Sequence, residues 1–209
     1  MDNKIVFGVG GIVIGLVLAS VFGSTMFFGS NNGNSSMMNN NKQSIGNNQM
    51  MGNLDKHFIE QMIPHHEGAV SMANIALAKS KRAEIKNLAN AIITGQTKEI
   101  GDMTLWYKNW FGKDVPKGNT GMMGGGMMSG SGMHMGGQED IKALETAPDF
   151  DRAFLEAMIP HHQLALMMVQ MLEAGSNRPE MIQLANNITA SQSKEIRDMQ
   201  GWYKEWYGQ

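Results

Sequence analysis

The chain carries one segment twice. Phe58-Ile59-Glu60-Gln61-Met62-Ile63-Pro64-His65-His66 returns as Phe154-Leu155-Glu156-Ala157-Met158-Ile159-Pro160-His161-His162, at an offset of 96 residues. The same offset relates Gln96-Thr97-Lys98-Glu99-Ile100-Gly101-Asp102-Met103 to Gln192-Ser193-Lys194-Glu195-Ile196-Arg197-Asp198-Met199. It also relates Trp106-Tyr107-Lys108 and Trp110 to Trp202-Tyr203-Lys204 and Trp206. No gap is needed between Asp55/Asp151 and Gly112/Gly208, and about half of the aligned positions are identical. The fold must therefore be one that two equivalent units can close. What both copies keep is a mixture of His, Met, Glu and Gln, side chains that ligate metals.

Composition narrows the chemistry. A net charge of −2 gives no basic footprint for nucleic acid. Cysteine is absent, which excludes disulfides, thiolate metal sites, thiol catalysis and lipoprotein attachment. Methionine is abundant, at 21 residues, and much of it lies in polar, glycine-rich stretches where no core pattern calls for it.

Residues 5–28 form a continuous apolar run that, at ~1.5 Å per residue, is long enough to cross a ~30 Å hydrocarbon core. Lys4 is the basic residue beside it, and the next, Lys42, is far downstream. Residues 1–28 thus read as a cytoplasmic stub and single-pass anchor, with the remainder extracytoplasmic, periplasmic or extracellular. The run is long and lacks a clean Ala-x-Ala site, which argues for an uncleaved anchor. Residues 29–53, rich in Asn, Ser, Gly and Met, read as a flexible tether. Residues 113–149 form a second Gly/Met-rich linker, in which Glu139–Glu145 can add a short helix. Its Met122-Met123, Met127-Met128 and Met133-His134-Met135 are either incidental to a linker or a capture segment for soft ions.

The two repeats, 54–112 and 150–209, carry helical periodicity. One stripe comprises Phe58, Met62, His65, Ala69, Met72, Ala73 and Ala76; its copy runs Phe154, Met158, His161, Ala165, Met168, Val169 and Leu172. Asp55 and Asp151 are expected near the helix starts as N-caps or first-turn acids. A second stripe runs from Ile85 through Leu88, Ile92, Gln96, Glu99, Met103 and Trp106 to Trp110, and is copied from Met181 to Trp206. Residues 79–82 and 175–179 read as tight turns. Each repeat is an antiparallel helix pair with one apolar face, and two pairs are predicted to close into an all-α four-helix bundle. The tryptophans are expected to plug one end.

His65 and residue 97 are equidistant from the turn at Lys81, which sets His65 level with Gln96 and Glu99; Met62 is level with Met103. The second copy sets His161 level with Gln192 and Glu195, and Met158 near Met199. His66 and its copy His162 fall at the stripe edge. Two mirrored sites, one inside each hairpin, are the expectation. A carboxylate buried there must be paired, protonated or metal-bound. A His–Glu pair meets that need without metal, so a purely structural polar network is the competing reading. Pro64 and Pro160 precede the histidine pairs inside the helices and are expected to bend them. His57 has Ala153 at its copy position and is a further candidate ligand, as are Met72 and Met168.

The Met-x-x-His-His helix followed by Gln-x-x-Glu-Ile-x-x-Met and an aromatic end resembles the domain-of-unknown-function 305 family, over about residues 54–112 and 150–208. The resemblance implies a ferritin-like bundle, often duplicated and extracytoplasmic, in a family that includes copper-binding CopM-type proteins linked to copper tolerance. It maps one candidate site to His65, His66, Met62, Gln96, Glu99 and Met103, and the other to His161, His162, Met158, Gln192, Glu195 and Met199.

Imidazole with thioether favours Cu(I) or Ag(I). The functional expectation is membrane-anchored metal binding, as storage, buffering or transfer, with a copper-handling protein as a partner. A carboxylate-bridged di-metal oxidoreductase needs Glu-x-x-His pairs, and the chain has Met-x-x-His instead. A non-metal interaction module is the remaining alternative. No nucleophile–base pair, phosphate loop or dinucleotide fingerprint is present, so no enzyme activity is expected.

Overall fold

A computed structural model describes residues 40–116 and 137–208, with side chains from Leu54 onward in the first helix. The described residues contain five helices and no strand: α1 (Asn40–Lys79), α2 (Ala83–Phe111), α3 (Gln138–Thr146), α4 (Phe150–Glu173) and α5 (Pro179–Tyr207). The all-α expectation holds. None of these helices is long and apolar enough to cross a membrane. The apolar run at 5–28 lies outside the described residues, as do Met133, His134 and Met135.

α1 begins at Asn40, inside the stretch read from its composition as a tether. No proline interrupts residues 40–53, and extending an established helix costs far less than nucleating one. Asp55 is consequently not a cap. It lies within α1, buried, with its carboxylate on the guanidinium of Arg178 at 3.0 Å. In the second copy Asp149 is the N-cap, accepting the Arg152 amide at 3.1 Å, and Asp151 sits in the first turn. Pro179 opens α5, where its missing N–H costs nothing. α2 and α5 both stop at a glycine with φ of 69°, Gly112 and Gly208, whose amides return to the carbonyls of Lys108 and Lys204 at 3.0 Å. That left-handed backbone disfavours residues with a Cβ.

α1 packs against α2, α4 against α5, and the two hairpins meet through α1 and α4. These two helices run antiparallel, so the first half of one lies beside the second half of the other. The core accordingly divides in two. One cluster joins Phe58, Met62 and Met103 to Ala165, Leu172 and Ile188; the other joins Ala69, Met72 and Ile92 to Phe154, Met158 and Met199. α3 lies against α4 and α1 and puts Leu144 into the second cluster.

The tryptophans do not share an end. Trp106 and Trp110 pack on the first cluster, Trp202 and Trp206 on the second, because the hairpins are antiparallel to each other. Each pair is stacked, and its outer ring receives an arginine from the opposite hairpin: Arg178 over Trp110 at 4.2 Å and Arg82 over Trp206 at 3.8 Å. The same arginines reach Asp55 and, at 3.7 Å, Asp151. Neither arginine stood out in the sequence, although both are repeated.

Pro64 and Pro160 lie inside helices that continue past them. Each removes an amide and so leaves the carbonyl four residues earlier, on Glu60 or Glu156, without its helical donor. The side chains of these glutamates are braced across the hairpin by the hydroxyls of Tyr107 and Tyr203.

The two arginine locks differ in burial, and their loss should differ accordingly. Arg178→Ala strands the buried Asp55 carboxylate and is expected to cost ~1–3 kcal/mol. Arg82→Ala acts on a longer, wetter pair and is expected to cost under about 1 kcal/mol. Urea unfolding of the two variants side by side checks the order.

Candidate metal centre

Four histidines occupy the boundary between the two apolar clusters. His65, His66, His161 and His162 are all buried. The α1/α4 crossing brings the rings of His65 and His161 to 3.7 Å between centroids, tilted by 35°. His66 and His162 lie 6.2 Å from their chain neighbours' rings and turn towards the other helix of their own hairpin. There the Nε2 of His66 meets Glu99 Oε2 at 2.8 Å, and that of His162 meets Glu195 Oε2 at 2.7 Å.

This differs from the expectation of two self-contained sites. The middle of the stripe on α1 faces the opposite hairpin rather than α2, so His65 meets His161. The flank of the stripe faces α2, so His66, expected at an edge, is the residue that pairs with Glu99. One central cluster therefore joins both copies. Gln96 and Gln192 are buried at the same level, between Ile92 and Met103 on α2 and between Ile188 and Met199 on α5. Met62 and Met103 lie buried on one side of this plane, Met158 and Met199 on the other. Met72 is fully buried in the second cluster, and Met168 is partly buried at the margin of the first. His57 is exposed, with Glu60 3.5 Å from its Nδ1.

The cluster is poor in hydrogen bonds. A carboxylate can only accept, so Nε2 of His66 and His162 is the donor in each pair, and neither Nδ1 has a partner. Neither ring nitrogen of His65 or His161 makes a well-formed bond, each ring having only a glancing approach to the backbone of the opposing histidine. Gln96 Oε1 and both polar side-chain atoms of Gln192 are likewise unpartnered. Buried polar groups are normally satisfied, and each orphan costs ~1–3 kcal/mol. Burial, reinforced by the neighbouring histidines, pushes His65 down to about 3 and His161 well below the ordinary range. Both rings are thus neutral at physiological pH, with free lone pairs. Among the described residues no three His, Asp or Glu side chains stand close enough to hold a metal by themselves. A metal here would draw on thioether donors as well as imidazole, a set suited to a soft ion.

Fold and site together define a helical-bundle protein built of duplicated hairpins around a buried histidine cluster. The family model for the domain of unknown function DUF305 matches residues 55–207, and the chain belongs to that family. Among solved structures, CopM in its Cu(I)-bound form is 44% identical with a TM-score of 0.63, covering 73% of this chain and 97% of that one. CopM in an Ag-bound form obtained by soaking is 42% identical with a TM-score of 0.62, covering 73% and 96%. A DUF305 fragment from Deinococcus radiodurans is 25% identical with a TM-score of 0.60, covering 73% and 96%. An uncharacterized protein, L153, of Acanthamoeba polyphaga mimivirus is 41% identical over 49 residues; this match takes in 23% of the chain and 32% of the relative.

The depressed histidines set a pH dependence. The unfolded chain takes up protons at His65 and His161 near pH 6.5, whereas the folded chain does so only near 3 for His65 and well below 6.5 for His161. Stability present above pH 6.5 is therefore lost progressively as pH falls towards 3. Each kcal/mol lost lowers Tm by ~2–4 °C for a chain of this size. Thermal melts of the metal-free protein between pH 7.5 and 4 check this, and in His65→Leu plus His161→Leu the acid slope is expected to flatten.

Proposed function

We propose that this protein binds Cu(I) or Ag(I) at the buried histidine cluster and serves in storage, buffering or transfer of these ions. The observation that carries the reading is the set of unpartnered, unprotonated nitrogen donors between His65 and His161, flanked by buried methionines. A network kept for structure alone would pair its members with one another; this one leaves lone pairs without a protein partner in a buried interior. Monovalent d10 ions accept few ligands and favour imidazole and thioether, so they need no cluster of carboxylates. The likeness to CopM, solved in Cu(I)- and Ag-bound forms, supports the same reading.

In this reading Glu99 and Glu195 orient rather than ligate. Each accepts from Nε2 of its histidine and so fixes the ring, leaving the buried Nδ1 without a protein partner. Met62 and Met158, three residues before His65 and His161, stand on the same helix faces and supply sulfur. Lys4 and the apolar run at 5–28 support a single-pass anchor with the bundle outside the cytoplasm, a compartment in which thioethers outlast thiols.

The experiment is equilibrium dialysis of the full chain against Cu(I) held by a chromophoric chelator, with bound metal measured by mass spectrometry. Wild type is expected to retain copper and His65→Ala plus His161→Ala to lose the central equivalent. Equal retention by both proteins would remove the cluster from the reading. The metal-free His65→Leu plus His161→Leu protein is expected to be ~1–3 kcal/mol more stable than wild type, since orphaned nitrogens are replaced by apolar carbon. Chemical denaturation without metal measures that.

A further inference from the structure

We infer that a second soft-metal site lies at the surface, in the cleft shared by His57 of α1 with Met168 and Met171 of α4, and that it takes Cu(I) or Ag(I) independently of the central cluster. The cleft has a volume of about 370 Å³; Gln61 borders it, and Phe58 and Leu172 form its apolar floor. It thus offers one imidazole and two thioethers to an ion arriving from solvent. Glu60 approaches Nδ1 of His57, which leaves Nε2 for a metal.

Duplication supplies the control. The corresponding groove at the other end of the α1/α4 pair has Ala153 and Ala157 in the places of His57 and Gln61. Met72 and Ile75 stand where the first groove has Met168 and Met171. Met72 is fully buried, and α3 lies beside this groove with Leu144 in the core. The groove beside α3 thus has neither imidazole nor accessible sulfur, and the groove at the other end has both. Met171 is 59% exposed and Met167, on the same helix, 47%. Side chains so exposed contribute little to packing, and the Met171 thioether is open to an ion arriving from solvent. Three soft donors with an apolar floor exclude hard cations and do not resemble a carboxylate cage.

The test is methyl NMR of the full chain labelled at its methionine methyls, titrated with silver nitrate in chloride-free buffer. Met168→Leu and Met171→Leu assign the two resonances, and these swaps conserve volume, so the fold is kept. Both methyls are expected to shift together in wild type and in His65→Ala plus His161→Ala, and to stay still in His57→Ala. Dialysis of Met168→Leu plus Met171→Leu should find about one silver equivalent fewer than in wild type. Methyls of Met168 and Met171 that ignore silver, or that shift alike with and without His57, would overturn the site. Silent Met62 and Met158 methyls beside a responding cleft would count against the central reading while leaving this one standing.

Discussion

The contact between His65 and His161 at the crossing of α1 and α4 organises the molecule. It sits where the two copies meet, and the core is split around it into two apolar clusters. Placing four imidazoles at that crossing costs hydration that the surroundings do not return, since most of their nitrogens lack partners. The remainder of the fold offsets this cost. Apolar clusters on both sides, arginine locks at both ends and tyrosine–glutamate braces across each hairpin hold the rings in place. The unpartnered imidazoles themselves therefore add nothing to stability, and the frame around them supplies it.

Duplication makes the frame economical. A single hairpin exposes one apolar face, and the second copy covers it by the same interactions read in reverse. Asp55 with Arg178 and Asp151 with Arg82 are one lock used twice, and His66 with Glu99 and His162 with Glu195 are one orienting pair used twice. The copies diverge where the surroundings differ. Beside α3 the groove is lined by Asp140, Glu156, Ala153 and Ala157 and holds neither imidazole nor thioether; at the opposite end it holds His57, Met168 and Met171. Divergence within a duplicated frame thus separates what the bundle requires from what one face adds.

Two kinds of donor environment result. At the centre the imidazoles are buried, and those of His65 and His161 are neutral at physiological pH. At the surface cleft stand Met168, the exposed Met171 and the exposed imidazole of His57. In a chain without cysteine, imidazole and thioether are the side-chain donors suited to a soft cation.

The repeat, the helices, the hairpin turns and the all-α class were legible in the primary structure, because helical period and offset are local properties of the chain. So was the candidate donor set, since His65, Glu99 and Gln96 could be placed on facing stripes by counting from the turn. Which imidazole met which partner was not legible. A helical wheel gives the direction of a side chain around its own axis but not the identity of the neighbouring helix in that direction. Hence His66 rather than His65 pairs with Glu99, and His65 crosses to the other copy. For the same reason the tryptophans were assigned to one end, and Arg82 and Arg178 were overlooked: both depend on the antiparallel docking of one hairpin on the other. Sequence by itself determined two equivalent helical units rich in soft donors; the tertiary structure decided that they share one histidine centre, because only the α1/α4 crossing sets residues 96 positions apart face to face.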